Sequence, residues 1–168
     1  MKKNKRKKGK KIISLAFYTN QTGDVTKKFN VPSTVLSMAS DRMQFKPAID
    51  AAIDAGFISE IYSLHSENYS EILDLNQADI CLVTKMSANT YKLNQSMAIA
   101  NLAALTLLKN EGAKIIIQYC DNIFAKSNSD ENENDDLRRF YKCALSMADT
   151  VTFPCNKMKE VTLKYLKP

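Results

Sequence analysis

Four side chains stand where apolar runs give way to polar residues: Arg42, Lys85, Asp121 and Asn122. Arg42 follows the run TVLSMA at 34–39 and the pair Ser40, Asp41, which are natural helix caps. A guanidinium at a helix start can grip a phosphate or carboxylate, helped by the free N–H groups of the first turn. Lys85 closes the run DICLVT at 79–84, with Ser87 close by as a cap. Asp121 and Asn122 follow the apolar stretch 115–120, where a carboxylate can orient a sugar hydroxyl or act as a base. Each has a plainer alternative. Arg42 and Lys85 also suit exposed surface positions, and Asp121 with Asn122 suits a turn held by local backbone bonds.

Other chemistries lack their residues. There is no G-x-G-x-x-G or G-x-x-x-x-G-K-[ST] pattern, and Gly9, Gly23, Gly56 and Gly112 are too scattered to cradle a phosphate. His65 is the sole histidine, so a His-based metal site or a Ser-His-Asp triad would rest on one residue. The separations of Cys81, Cys120, Cys143 and Cys155 match no zinc or redox spacing. Neither a metal nor a cofactor is expected. Four free cysteines in such a chain suit a reducing cytoplasm.

These residues matter only if secondary structure brings them together. Residues 12–19, 60–64, 79–84, 114–119 and 149–153 have the length and β-branched or aromatic content of strands, as does 34–39. Phe45, Ile49, Ala52 and Ile53 recur at helical spacing before Gly56, with Pro47 tolerated in the first turn. Further helices are predicted over 67–75, 90–110, 137–147 and 156–166, the last capped by Asn156. The 90–110 helix is apolar nearly all round, which predicts deep burial, and Gly112 should end it. Residues 20–32 are polar and aperiodic, and 126–136 are acidic and asparagine-rich, so both predict loops. The alternation of strand and helix predicts an α/β fold: a Rossmann-like open parallel sheet with helices on both faces. Ligands of such sheets bind beyond the carboxyl ends of the strands. That is where Arg42, Lys85, Asp121 and Asn122 would converge.

The net charge of +6 is unevenly placed. Lys2, Lys3, Lys5, Arg6, Lys7, Lys8, Lys10 and Lys11 form a basic run without an acid among them. Subtracting those eight leaves the rest at about −2 with ordinary charge states. The expected organisation is a basic, solvated tail over 1–11 and one Rossmann-like domain over 12–168. The tail suits an anionic membrane surface, which would place the protein at the inner face of the membrane. Nucleic acid is the alternative partner for such a run, but no RNP-like or helix-turn-helix pattern accompanies it, so specific nucleic-acid binding is not expected. No uncharged apolar run is long enough to cross a bilayer.

One series of segments resembles a known family. Ser40, Asp41 and Arg42 open a helix ending Asp54, Ala55, Gly56. Ala78, Asp79, Ile80, Cys81, Leu82 and Val83 lead to Lys85. A long helix ends Lys109, Asn110, Glu111, Gly112, and is followed by Ile115, Ile116, Ile117, Gln118, Tyr119, Cys120, Asp121, Asn122, Ile123 and Phe124. Ala148, Asp149, Thr150, Val151, Thr152 and Phe153 then precede a last helix. This order, covering about residues 34–168, is similar to the N-terminal half of GT-B glycosyltransferases of the group-1 type. The resemblance implies half of a GT-B fold: an acceptor-side domain, with Arg42, Lys85, Asp121 and Asn122 lining the acceptor side of a cleft.

It also implies hexosyl transfer from a nucleotide sugar held by a second, donor domain. The acceptor would be a sugar or a lipid-linked sugar, with a role in polysaccharide biosynthesis. Two departures stand out. Asp121 alone matches the family's acidic cluster. The chain also stops at Lys167 and Pro168, short of a donor domain and its glutamate pair. The resemblance therefore leads us to expect a truncated domain, inactive alone, that would pair with a donor-domain partner chain. A different expectation from the same pattern is a stand-alone flavodoxin-like or receiver-like regulatory module.

Overall fold

The structure, a computed structural model, describes residues 10–16, 27–29, 46–65, 78–85, 95–120, 123–124 and 131–166. Its strands are β1 (Lys10–Ala16), β2 (Lys27–Phe29), β3 (Ile58–His65), β4 (Ile80–Lys85), β5 (Lys114–Gln118) and β6 (Thr150–Thr152). Its helices are α1 (Lys46–Asp54), α2 (Gln95–Asn110), α3 (Glu131–Met147) and α4 (Asn156–Leu166).

The strands form one six-stranded sheet in the order β2-β3-β1-β4-β5-β6. Five of them run parallel: β1 pairs with β3 and with β4, β4 with β5, and β5 with β6. Only β2 is antiparallel, lying along β3 with Phe29 opposite Ile61. The sheet is therefore mixed, not purely parallel as the alternation of elements implied. The source of the difference is a three-residue strand inside the polar stretch 20–32. Lys27 and Lys28 give it no apolar periodicity, and a short charged strand is a suitable edge.

The central strands read as near-continuous apolar runs because both faces are covered. On one face Cys81, Val83, Ile115 and Ile117 meet Ala104, Leu105 and Leu108 of α2 and Leu137, Phe140, Tyr141, Ala144 and Leu145 of α3. These α3 positions follow the helical spacing read from the sequence. On the other face Leu82 packs with Ile49 of α1 and with Ile58, and Ala52, Ile53 and Ile116 flank them. Successive side chains thus alternate between the two faces: along β5 burial alternates with them, whereas in β4 Cys81, Leu82 and Val83 are all buried.

Both predicted glycine stops are present. Gly56 has φ of 73° and Gly112 has φ of 93°, each just past a helix end. Behind Gly112, the Ala113 N–H donates to the Leu108 carbonyl (2.9 Å) and the Gly112 N–H to the Lys109 carbonyl (3.0 Å). Behind Gly56, the Phe57 N–H donates to the Ala52 carbonyl (2.8 Å) and the Gly56 N–H to the Ile53 carbonyl (2.8 Å). This is the paired Schellman closure, which consumes carbonyls the helix leaves unpaired.

Three local expectations are corrected. Residues 131–136, expected as loop, are the first turns of α3. α2 is not buried all round: Ile99 is 69% and Leu107 43% exposed, because the sheet and α3 cover only part of its circumference. The carbonyl of Cys155 accepts the bond from the Lys159 N–H (3.2 Å), so Cys155 precedes the first turn of α4 and Asn156 lies within it. The strand expected at 34–39, the helix expected at 67–75 and the first residues of the helix expected at 90–110 lie outside the described residues, as does most of the basic tail.

Candidate functional site

β1 lies between β3 and β4. The chain moves from β1 outward to β3, then returns past β1 to build β4, β5 and β6 on the other side. Strand order therefore reverses at the β1–β4 boundary. In open α/β sheets that boundary is where loops diverge and leave a crevice beyond the carboxyl ends. The carboxyl ends meet there in register: Ala16, the last residue of β1, is opposite Lys85, the last residue of β4.

Lys85 is thus placed at the strand end expected of it. Arg42, Asp121 and Asn122 lie outside the described residues. The structure does, however, fix the two chain positions that flank Asp121 and Asn122. Val83 is paired with Ile117, so the segment leaving β5 emerges at the same pole as Lys85. The Tyr119 N–H donates to the Thr152 carbonyl (2.9 Å), which holds the segment to β6 on its way out. The Tyr119 hydroxyl accepts from the Ile123 N–H (2.9 Å), which holds its return.

That tyrosine is the anchor of the rim. It is buried, and its ring lies edge-on to Tyr141 (5.7 Å between centroids) and Phe153 (5.9 Å), with Phe124 tilted at 6.0 Å. Phe124 in turn stacks on Tyr165 of α4 at 5.1 Å. Edge-on and offset ring pairs of this kind add about 0.5–1.5 kcal/mol each beyond their buried area. Phe124 reads from sequence as a core or plug residue, and it is buried. The role of Tyr119 was missed. Its available signal was an aromatic residue directly after a fully apolar strand, with more aromatics at 124, 141 and 153.

The described groups near the rim offer little reactive chemistry of their own. Away from the rim, in the amino half of β4, burial pushes the Cys81 thiol far up, so it behaves as a small apolar core residue. Cys120 is half-buried beside the rim, and Cys155 is exposed at the start of α4. Among the described residues no three His, Cys, Asp or Glu side chains gather as a metal site would require. No helix among them is long and apolar enough to cross a membrane. The described part of the rim consists of the buried aromatic group around Tyr119 and of Lys85 at the last position of β4.

No family model, curated protein or solved structure matches the chain. The class is therefore defined by the sheet alone: an open α/β domain with a rim at its topological switch point.

Proposed function

We propose that this domain binds the acceptor in a GT-B-type glycosyl transfer, its carboxyl-end rim forming one wall of a cleft completed by a donor domain. One observation carries the reading: β1, β4 and β5 lie side by side and parallel, so Lys85 and the segment bearing Asp121 and Asn122 leave the sheet at one pole. In this reading Lys85 and Arg42 attract a phosphate or carboxylate of the acceptor, and Asp121 and Asn122 orient its hydroxyls. The nucleotide sugar belongs to the donor domain, so residues 12–168 alone turn over no nucleotide sugar.

A glycan microarray probed with the full chain tests this. Binding to acidic or phosphorylated glycans is expected, with Arg42→Ala, Lys85→Ala and Asp121→Ala each weakening it by about tenfold, the loss of one charge-assisted hydrogen bond. Glycan binding unchanged in all three variants, or nucleotide-sugar turnover by the isolated chain, would refute it.

A second reading is favoured by the sheet order. With the antiparallel edge set aside, the five parallel strands run 2-1-3-4-5 in chain order, the flavodoxin-like arrangement that receiver domains share. A phosphoryl receiver needs an acidic pair after its first strand. The residues after β1 are Phe17, Tyr18, Thr19 and Asn20, without a carboxylate. Labelling of one aspartate by acetyl phosphate would reverse the preference between the two.

A further inference from the structure

We propose that α2 is the seam of a two-fold homodimer, in which Ile99, Ala103 and Leu107 of one copy pack antiparallel on the same residues of a second. From Gln95 to Leu108 the helix carries no charged residue. A helix on the surface of a globular protein ordinarily turns polar and charged side chains outward. α3, which covers the same face of the sheet, does so with Asp135, Asp136, Arg139 and Lys142. α2 instead presents Ile99 (69% exposed), Ala103 and Leu107 (43% exposed), which are spaced by four and therefore share one face. Thr106 is exposed beside them, but its hydroxyl donates to the Leu102 carbonyl (2.8 Å) within the same helix. Its polarity is satisfied locally, so the outer surface of α2 asks for an apolar cover.

The spacing says what that cover is. Ala103 lies midway between Ile99 and Leu107. A two-fold axis through Ala103 sets Ile99 of each copy against Leu107 of the other, so one patch serves both sides. Alanine at the crossing point lets the two helix axes approach closely. Next to such an axis a side chain meets its own copy, and this face carries no charge to repel itself.

The helix ends add charge complementarity. The first turn of α2 has no carboxylate to offset the positive end of its dipole, and no acid occurs in the sequence between Asp79 and Glu111. Glu111 is exposed, and its N–H still donates to the Leu107 carbonyl (3.0 Å), so it continues the last turn. It lies as far past Ala103 as Gln95 lies before it. Antiparallel pairing therefore brings Glu111 of each copy level with the start of α2 in the other. The same rotation reverses the strands, so the two rims lie at opposite ends of the dimer and both stay open. The inference is independent of the glycosyl-transfer reading.

Sedimentation of the full chain tests it. The mass should rise from one chain to two as the concentration is raised. Ile99→Asp changes an exposed position, so it should keep the parent's circular dichroism while holding the mass at one chain. Ile99→Ala should raise the dimer dissociation constant by about a hundredfold, because the axis counts each lost contact twice. With Cys143→Ser and Cys155→Ser as background, Ala103→Cys should link to its own copy under mild oxidation. Gln95→Cys should not, since about 24 Å would separate it from its own copy along the seam. Three results would each overturn the proposal: one-chain mass at every concentration, which would leave the face to a different protein; a dimer that Ile99→Asp leaves intact; or linking at 95 as readily as at 103.

Discussion

Asp149 shows how one carboxylate ties the last strand to the sheet. It precedes β6, and its Oδ2 accepts from the Ile115 N–H (2.9 Å) while Oδ1 meets Lys114 Nζ (3.2 Å). The Asp149 N–H returns a bond to the Ile115 carbonyl (2.8 Å). The backbone bond from Ile115, and then Lys114, hold this carboxyl below the usual carboxylate range. A depressed value means that the unfolded chain takes up its proton first as pH falls. The stabilisation is therefore complete above the ordinary carboxylate value, and is lost as pH drops through the folded one. Asp149→Ala should lower the melting temperature at neutral pH, and the gap to the parent should close on acidification. Thermal melts across that range check it; a gap that persists in acid would show that the charge is not its source.

At the scale of elements, what could be read in advance followed how locally each element is encoded. α3 is placed from Leu137 onward by an apolar stripe that later packs, and β5 by three consecutive isoleucines. The ends of α1 and α2 follow from Gly56 and Gly112, whose conformation few other residues adopt. β2 is different: nothing in Lys27, Lys28 and Phe29 marks a strand until β3 offers an edge to pair with. The acidic start of α3 was hidden for a related reason. Glu131, Asn132, Glu133 and Asn134 are polar like a loop and carry no apolar stripe that would mark a helix start. The glycine argument has a direct test. At Gly112 an added Cβ would meet nothing within 4 Å, so Gly112→Ala should act through the backbone alone. A loss of about 1–2 kcal/mol in denaturant unfolding is expected. A neutral result would mean that the α2–β5 turn can relax out of the left-handed region.

At the scale of the molecule, the pole that carries the candidate site was legible because parallel connectivity follows from alternating elements; the residues that brace the rim were not. Tyr119 does its work through Thr152, Tyr141 and Phe153, contributed by other elements and invisible to local spacing, and through Ile123 four residues on. The same connectivity divides the described core unequally. Among the described side chains α1 buries only Ile49, whereas α2 buries Ala98, Asn101, Ala104, Leu105 and Leu108. Regions with few buried apolar contacts open at lower free energy than the global transition. Amides of α1 should therefore exchange through a sub-global opening, while those of β4, β5 and α2 exchange with global unfolding. Ile49→Ala removes a buried side chain from the face under α1, at a cost of about 2–5 kcal/mol for such a truncation. In native-state hydrogen exchange it should lower the opening free energy of α1 by more than that of β5. Leu105→Ala, in the face under α2, should lower both together. Equal shifts for both elements in the Ile49 variant would show that the two faces unfold as one unit.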